Sequence, residues 1–207
     1  MRLDAYVKDA YYAPMAWAAL VGVIVFGVVC IGVRSWIHVR RTGRGPFRSG
    51  PAGNGVAAVV LFAGPYVAGS ILDLTGGLDR ASTAGWLGPV GLSLTVVGIA
   101  ATMWAQLAMG ESWRIGVDAE ERTALVTTGP YRRVRNPIYT AMFAFGLGQV
   151  LLVPNALTAL GFAATVLVIE VVVRRIEEPH LVAVHGDRVR SWMAGTGRFV
   201  PWVGAVR

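Results

Sequence analysis

Only one cysteine, Cys30, occurs in the 207 residues, which excludes an intrachain disulfide and any cysteine-based zinc site. Charge is also scarce. Charged residues make up 15% of the chain and apolar residues 55%, and mean hydropathy is +0.55, a balance that belongs to membrane rather than cytosol. No internal repeat is present, nor any alternating pattern long enough to propose a sheet. No small-residue cleavage site follows the first apolar run, so that run is expected to remain as a span. The net charge of +7 comes without a basic groove pattern or an aromatic RNA-binding box, and nucleic acid is not an expected partner. His38, His180 and His185 lack a paired motif, so surface roles are expected for them and no metal.

What the chain does have is long apolar runs. They cover about 14–33, 54–74, 87–109 and 137–174. The last is too long for one helix at about 20 residues per crossing, and Val153-Pro154-Asn155 interrupts it with a turn signal. Dividing it there predicts five transmembrane helices, at about 14–33, 54–74, 87–109, 137–153 and 155–174, in a single all-α membrane domain spanning 1–207.

The arginines support the same division. Arg34, Arg40, Arg41, Arg44 and Arg48 fall between the first two spans, and Arg114, Arg122, Arg132, Arg133 and Arg135 between the third and fourth. Arg174, Arg175, Arg188, Arg190, Arg198 and Arg207 follow the fifth; only Arg2, Lys8 and Arg80 fall elsewhere. Because Lys and Arg accumulate in cytoplasmic loops, five spans predict an outer amino terminus and a cytoplasmic carboxyl-terminal helical segment. The plasma membrane is the expected location. Trp17, Trp36, Trp86 and Trp113 fall near span ends, as expected of interfacial side chains. The stretch 41–55 reads as an irregular basic loop that fixes topology. Gly64, Gly69, Gly88, Gly91 and Gly98 sit where small residues allow helices to approach closely.

Two polar groups stand out. In the first, Gly129-Pro130 signals a turn, and Asn136-Pro137 fits an Asn cap with proline at the first helical position. A helix starting there offers free N–H groups and a positive dipole end to a carboxylate or phosphate. Arg132, Arg133 and Arg135 add charge, and Tyr139 lies in the first turn. The second group, Glu170, Arg174, Glu177 and Glu178, follows about one crossing later, and its spacing would line one helix face. Glu170 falls roughly a turn inside the hydrocarbon boundary, where an ionised carboxylate is costly unless paired; Arg174 is the expected partner. A short helical hairpin would return this group beside the first.

Together, Gly129-Pro130-Tyr131-Arg132-x-Val134-Arg135-Asn136-Pro137-x-Tyr139 and, after an apolar hairpin, Glu177-Glu178-Pro179-x-Leu181 resemble the integral-membrane methyltransferases. That group includes isoprenylcysteine carboxyl methyltransferases and phospholipid N-methyltransferases, which share Gly-x-Tyr-x-x-x-Arg-His-Pro-x-Tyr, a hydrophobic stretch and Glu-Glu. Gly186, Trp192 and Arg198-Phe199-Val200-Pro201 resemble the family's closing segment, and Trp104 to Trp113 its approach to the loop, so the likeness runs over about 85–202. Asn136 replaces the common histidine, as it does in the phospholipid enzymes, which removes proton transfer at that position. His185 and Val189 stand where aromatic residues are common.

The resemblance implies S-adenosylmethionine as cofactor, held between the cytoplasmic segments 110–136 and 175–207. Tyr131, Arg135, Asn136, Pro137, Tyr139, Glu177 and Glu178 are the expected cofactor-binding residues: arginine or helix-start N–H groups for the methionine carboxylate, Glu177 or Glu178 for ribose hydroxyls or the amino group, and the tyrosine rings for the sulfonium. Glu170 and Arg174 are the expected catalytic pair. Arg174 would anchor an acidic acceptor, with Glu170 orienting it, or Glu170 would act as general base toward an amine. The acceptor would be lipophilic and arrive from the bilayer. Two other readings compete: a membrane reductase using NADPH in a related helical site, and a non-catalytic membrane scaffold whose polar face on the fifth helix tolerates substitution.

Overall fold

The computed structural model describes residues 2–47, 49–50, 53–82, 84–115 and 124–205. Residues 116–123 of the loop before the motif, with Arg122, and also Arg48 and Arg207, lie outside the described residues. The chain is helical apart from a two-residue ladder, β1 (Ser49–Gly50) on β2 (Gly53–Asn54). In order, the helices are α1 (Arg2–Phe26), α2 (Arg34–Thr42), α3 (Gly55–Leu74), α4 (Leu87–Met109), α5 (Pro137–Leu152), α6 (Ala156–Val172), α7 (Glu178–His185) and α8 (Asp187–Gly195). Wider π turns at Gly27–Val33 and Val173–Glu177 join α1 to α2 and α6 to α7 as continuous rods.

Among the described residues, four helical stretches are long and apolar enough to cross a membrane: Tyr12–Thr42, Gly55–Leu74, Leu87–Ser112 and Ala156–His185. The fifth expected span, α5, has 16 residues and is shorter than this. The first span also runs past its expected end. Trp36, Ile37 and Val39 continue the apolar pattern among the arginines, and only Gly43, with φ of 69°, ends the helix. Helix therefore replaces the first part of the expected basic loop.

The hairpin between α5 and α6 forms at Val153-Pro154-Asn155. Asn155 Oδ1 accepts from the Thr158 amide at 3.0 Å, which caps α6, and Asn155 Nδ2 donates to the Gly69 carbonyl at 2.9 Å. One buried side chain thus starts α6 and ties it to α3.

Along α4 the buried positions include Gly88, Gly91, Thr95, Gly98, Thr102 and Ala105, spaced three and four apart. Ala141, Phe145, Gly148 and Leu152 face them from α5. Such a seam of small residues lets backbones touch, which is how helices associate when lipid removes the hydrophobic drive between them. Gln149 Nε2 donates to Thr95 Oγ1 across it at 3.1 Å. Beyond the seam, Phe26, Phe62, Tyr66 and Phe145 join α1, α3 and α5 in an aromatic core, with ring centroids as close as 4.6 Å.

A Cβ on Gly98 would lie 2.6 Å from the Phe145 amide nitrogen, whereas one on Gly64 would meet nothing within 4 Å. Gly64 therefore does not serve the close approach its neighbours do. Gly98→Ala is expected to destabilise the protein by about 1–3 kcal/mol, the usual penalty of overpacking, while Gly64→Ala leaves stability unchanged. Thermal unfolding of the two variants in detergent checks this; equal midpoints would contradict the seam.

At the hairpin end of the bundle, Arg80 donates to Asp73 Oδ2 at 2.6 Å and to the carbonyls of Tyr12 and Leu152, with its guanidinium over the Tyr12 ring. Asp73, Arg80 and Pro154 all lie at the end opposite to the Gly129–Tyr139 motif.

Candidate functional site

The motif begins with a 3-10 turn over Gly129–Arg132, where Gly129 takes a φ of 58° that favours glycine. The turn drives Tyr131 into the bundle. Its hydroxyl donates to the Ala105 carbonyl at 3.3 Å, and its own carbonyl accepts from Trp192 Nε1 at 3.1 Å. Burial pushes the Tyr131 phenol well above its ordinary range; the Glu177 carboxylate adds to this and the Arg34 guanidinium opposes it. Tyr131 is therefore neutral at any working pH and offers a ring rather than a base.

The following residues are sewn to the carboxyl-terminal tail by backbone bonds. Arg135 N donates to the Gly197 carbonyl at 2.8 Å, Asn136 N to the Arg198 carbonyl at 3.1 Å, and Gly197 N to the Arg133 carbonyl at 3.3 Å. A Cβ at Gly197 would fall 1.9 Å from the Val200 carbonyl oxygen, so only glycine fits there. Asn136 occupies the expected cap position and Pro137 the first helical residue. The Asn136 side chain, however, does not cap the helix. Its Nδ2 instead donates to the Arg198 carbonyl at 3.2 Å, which ties the side chain to the tail.

Arg135 also departs from expectation. Its Nε and Nη2 both donate to Glu178 Oε1, at 3.1 and 2.9 Å; Nη1 donates to the carbonyls of Met193 and Thr196, and Nη2 also to that of Gly204. A guanidinium has five N–H donors, and all five are engaged. Arg135 therefore has none left for a cofactor carboxylate; it clasps the tail. Arg198 completes the clasp from the other side, donating to both oxygens of Glu178 at 2.9 and 2.8 Å. That bond raises the Arg198 pKa above its usual value against the opposing effect of burial.

Glu177 turns elsewhere. Its Oε1 accepts from the Tyr139 hydroxyl at 2.5 Å, which joins the inner turn of α5 to the start of α7 beside Tyr131. Glu170 and Arg174 pair with each other, Arg174 Nε donating to Glu170 Oε1 at 2.7 Å. Both are partly exposed, at 32% and 53% of their side chains. The single polar face expected of these four residues does not persist. The π turn over Val173–Glu177 shifts the register between the pairs, so each acid finds a different partner.

Sequence reasoning missed a second polar cluster. Arg34, 1% exposed, donates to the carbonyls of Gln106 and Gly110 and lies 4.4 Å from the Trp113 ring centroid. A cation placed on the last carbonyls of α4 satisfies both their lone pairs and the helix dipole. Trp113, 2% exposed, is thus no interfacial anchor, unlike the exposed Trp17, Trp36 and Trp86. His38 sits edge-on to it at 5.9 Å and is buried rather than on the surface. The available signal was His38 one turn after Arg34, at the end of an apolar helix.

The structure thus brings Tyr131, Arg135, Asn136, Pro137, Tyr139, Glu177 and Glu178 to one end of the bundle, with Glu170 and Arg174 a turn or two deeper. Residues 87–188 match the sequence model of the family described as phospholipid methyltransferase. The match takes in α4 to the start of α8, and every candidate residue named above falls within it. No curated protein matches the chain. Among solved structures it is similar to the eukaryotic intramembrane Ras methyltransferase, isoprenylcysteine carboxyl methyltransferase, solved without a monobody. The TM-score is 0.51 and the identity 22%, over 73% of this chain and 52% of that one. This likeness concerns the fold, and the chain spans about half the length of the enzyme it resembles.

Proposed function

We propose that the chain is an S-adenosylmethionine-dependent methyltransferase whose acceptor is lipophilic and reaches the site from the bilayer. The supporting observation is the Glu177–Tyr139 contact beside the buried, neutral Tyr131: a carboxylate and two phenol rings held together, outside the Arg135–Glu178–Arg198 clasp.

This donor set fits the cofactor, whose sulfonium and ammonium are cationic and whose ribose carries hydroxyl donors. A carboxylate offers about four lone-pair sites, and Tyr139 uses one on Glu177. The others are suited to ribose hydroxyls or the amino group, and the ring faces of Tyr131 and Tyr139 attract a cation. Arg132 and Arg133, exposed beside the motif, take over the carboxylate-binding role expected of Arg135. Glu178, Arg135, Asn136 and Pro137 act through the tail, which they hold against the site. When bound, S-adenosylmethionine supplies an electrophilic methyl group.

Glu170 and Arg174 serve the acceptor. An ion pair partly exposed on an apolar helix is costly against hydrocarbon and is relieved by a polar head group placed on it. Arg174 holds an acidic acceptor, or Glu170 takes the proton of an amine. Positioning within about 3–3.5 Å supplies much of the rate in such displacements.

The same reading treats α5 as a fifth span packed along α4, with residues 1–207 as one membrane domain. The segments 110–136 and 175–207 then close the site on the cytoplasmic face, and the amino terminus lies outside, in the plasma membrane. The test follows a labelled methyl group from S-adenosylmethionine into a lipid extract and identifies the product, with calorimetry of S-adenosylmethionine and NADPH side by side. Heat with S-adenosylmethionine alone and label in a lipid are expected. Heat with NADPH alone would favour the reductase, and no heat with either would favour the scaffold.

A further inference from the structure

The tail that closes the site ends in a tight turn. Arg198 N donates to the Val203 carbonyl at 2.8 Å and Val203 N to the Val200 carbonyl at 3.1 Å. Inside it Trp202 takes a φ of 63°, the one left-handed residue other than glycine among the described residues. Trp202 is also the most exposed large apolar side chain among them, at 81%, and Val200 and Val203 beside it are more than half exposed. A turn confined to water gains nothing by presenting three apolar side chains outward.

Its position supplies a reason. Thr140 Oγ1 donates to the Phe199 carbonyl at 2.7 Å, and the Phe199 ring stands edge-on to Phe143 at 5.3 Å. Thr140, Phe143 and Leu147 fall at i, i+3 and i+7 and so share one face of α5; Leu147 is exposed on it. The turn is thus packed on the outward stripe of an apolar helix. Phe143 is six residues into α5, about 9 Å along its axis at 1.5 Å per residue, so the turn packs on the end of the helix that lies next to a head-group layer, about 5–7.5 Å thick. An indole, apolar with one polar donor, is suited to that layer.

We propose that the Phe199–Val203 turn is a membrane anchor, with Trp202, Val200 and Val203 seated in the head-group layer of the lipid bilayer. The bilayer then helps to keep Arg198 on Glu178, and so keeps the tail closed over the candidate site. This rests on the membrane placement of α5 and not on the methyl-transfer reading.

The test places a nitroxide at Trp202→Cys in a Cys30→Ala background, reconstituted in phosphatidylcholine and phosphatidylglycerol vesicles. Its collision rates with oxygen and with a water-soluble nickel chelate are then measured, with Arg190→Cys, exposed on α8, as the aqueous control. An oxygen-to-nickel ratio severalfold above the control is expected. A ratio equal to the control, or spin–spin broadening from a second copy of the chain, would overturn the anchor. Because a left-handed position resists substitution, Val203→Cys is measured in parallel and must give the same answer.

Discussion

Glu178→Ala is expected to lower stability by about 3–5 kcal/mol, the range for removing one partner of a buried ion pair. The loss is large because two cations depend on this one acid. Arg135 has a side chain only 2% exposed and Arg198 one 12% exposed, so neither can recover solvation without unseating the tail. Arg135→Met should cost less. Glu178 would still be held by Arg198, and the carbonyls of Met193, Thr196 and Gly204 would lose neutral–charged bonds but strand no charge. Thermal unfolding in detergent, together with limited proteolysis after residue 196, measures both. An unchanged midpoint for Glu178→Ala would show that the clasp is incidental.

The adjacent acid should behave differently. Glu177→Ala is expected to lower stability by only about 1–3 kcal/mol, the usual loss when a buried hydroxyl is left without its acceptor, and to weaken S-adenosylmethionine binding about 10- to 100-fold. A hydrogen bond to a charged group contributes about 1.5–3 kcal/mol, and each 1.4 kcal/mol is tenfold in affinity. Methyl transfer into lipid should fall at least as far. Glu177→Gln keeps an acceptor for Tyr139 but loses the charge, so it separates tyrosine positioning from attraction to the cation. If both glutamates affect stability and binding alike, the division into clasp and ligand fails.

Much of this was readable from residue order. Proline and asparagine inside an overlong apolar run marked the hairpin, and Asn155 caps the helix there. The glycines of α4 marked the close seam, whereas Gly64, on α3, meets nothing within 4 Å. The meeting of the Gly129–Tyr139 motif with Glu177 and Glu178 was legible both from the short helical hairpin that separates them and from the family pattern.

What escaped depends on groups distant along the chain. Arg135 resembled an anion ligand because its acceptors are main-chain carbonyls, which any residue supplies and no motif records. The π turn between Glu170 and Glu178 has no compositional mark, so a straight-helix register was assumed and the acids were placed on one face. Arg34 fitted a topology rule, and only His38 one turn later hinted that it caps α4.

On the proposed reading of α5 as a fifth span, its shortness bears on where a lipophilic acceptor would be met. Sixteen residues at 1.5 Å each extend about 24 Å, against a hydrocarbon core of about 30 Å. A segment that falls short draws the surrounding lipid inward until the two lengths agree. The leaflet beside Glu170 and Arg174 would then be dimpled, and a lipid lying there would carry its polar end down to the waiting pair without leaving its own layer.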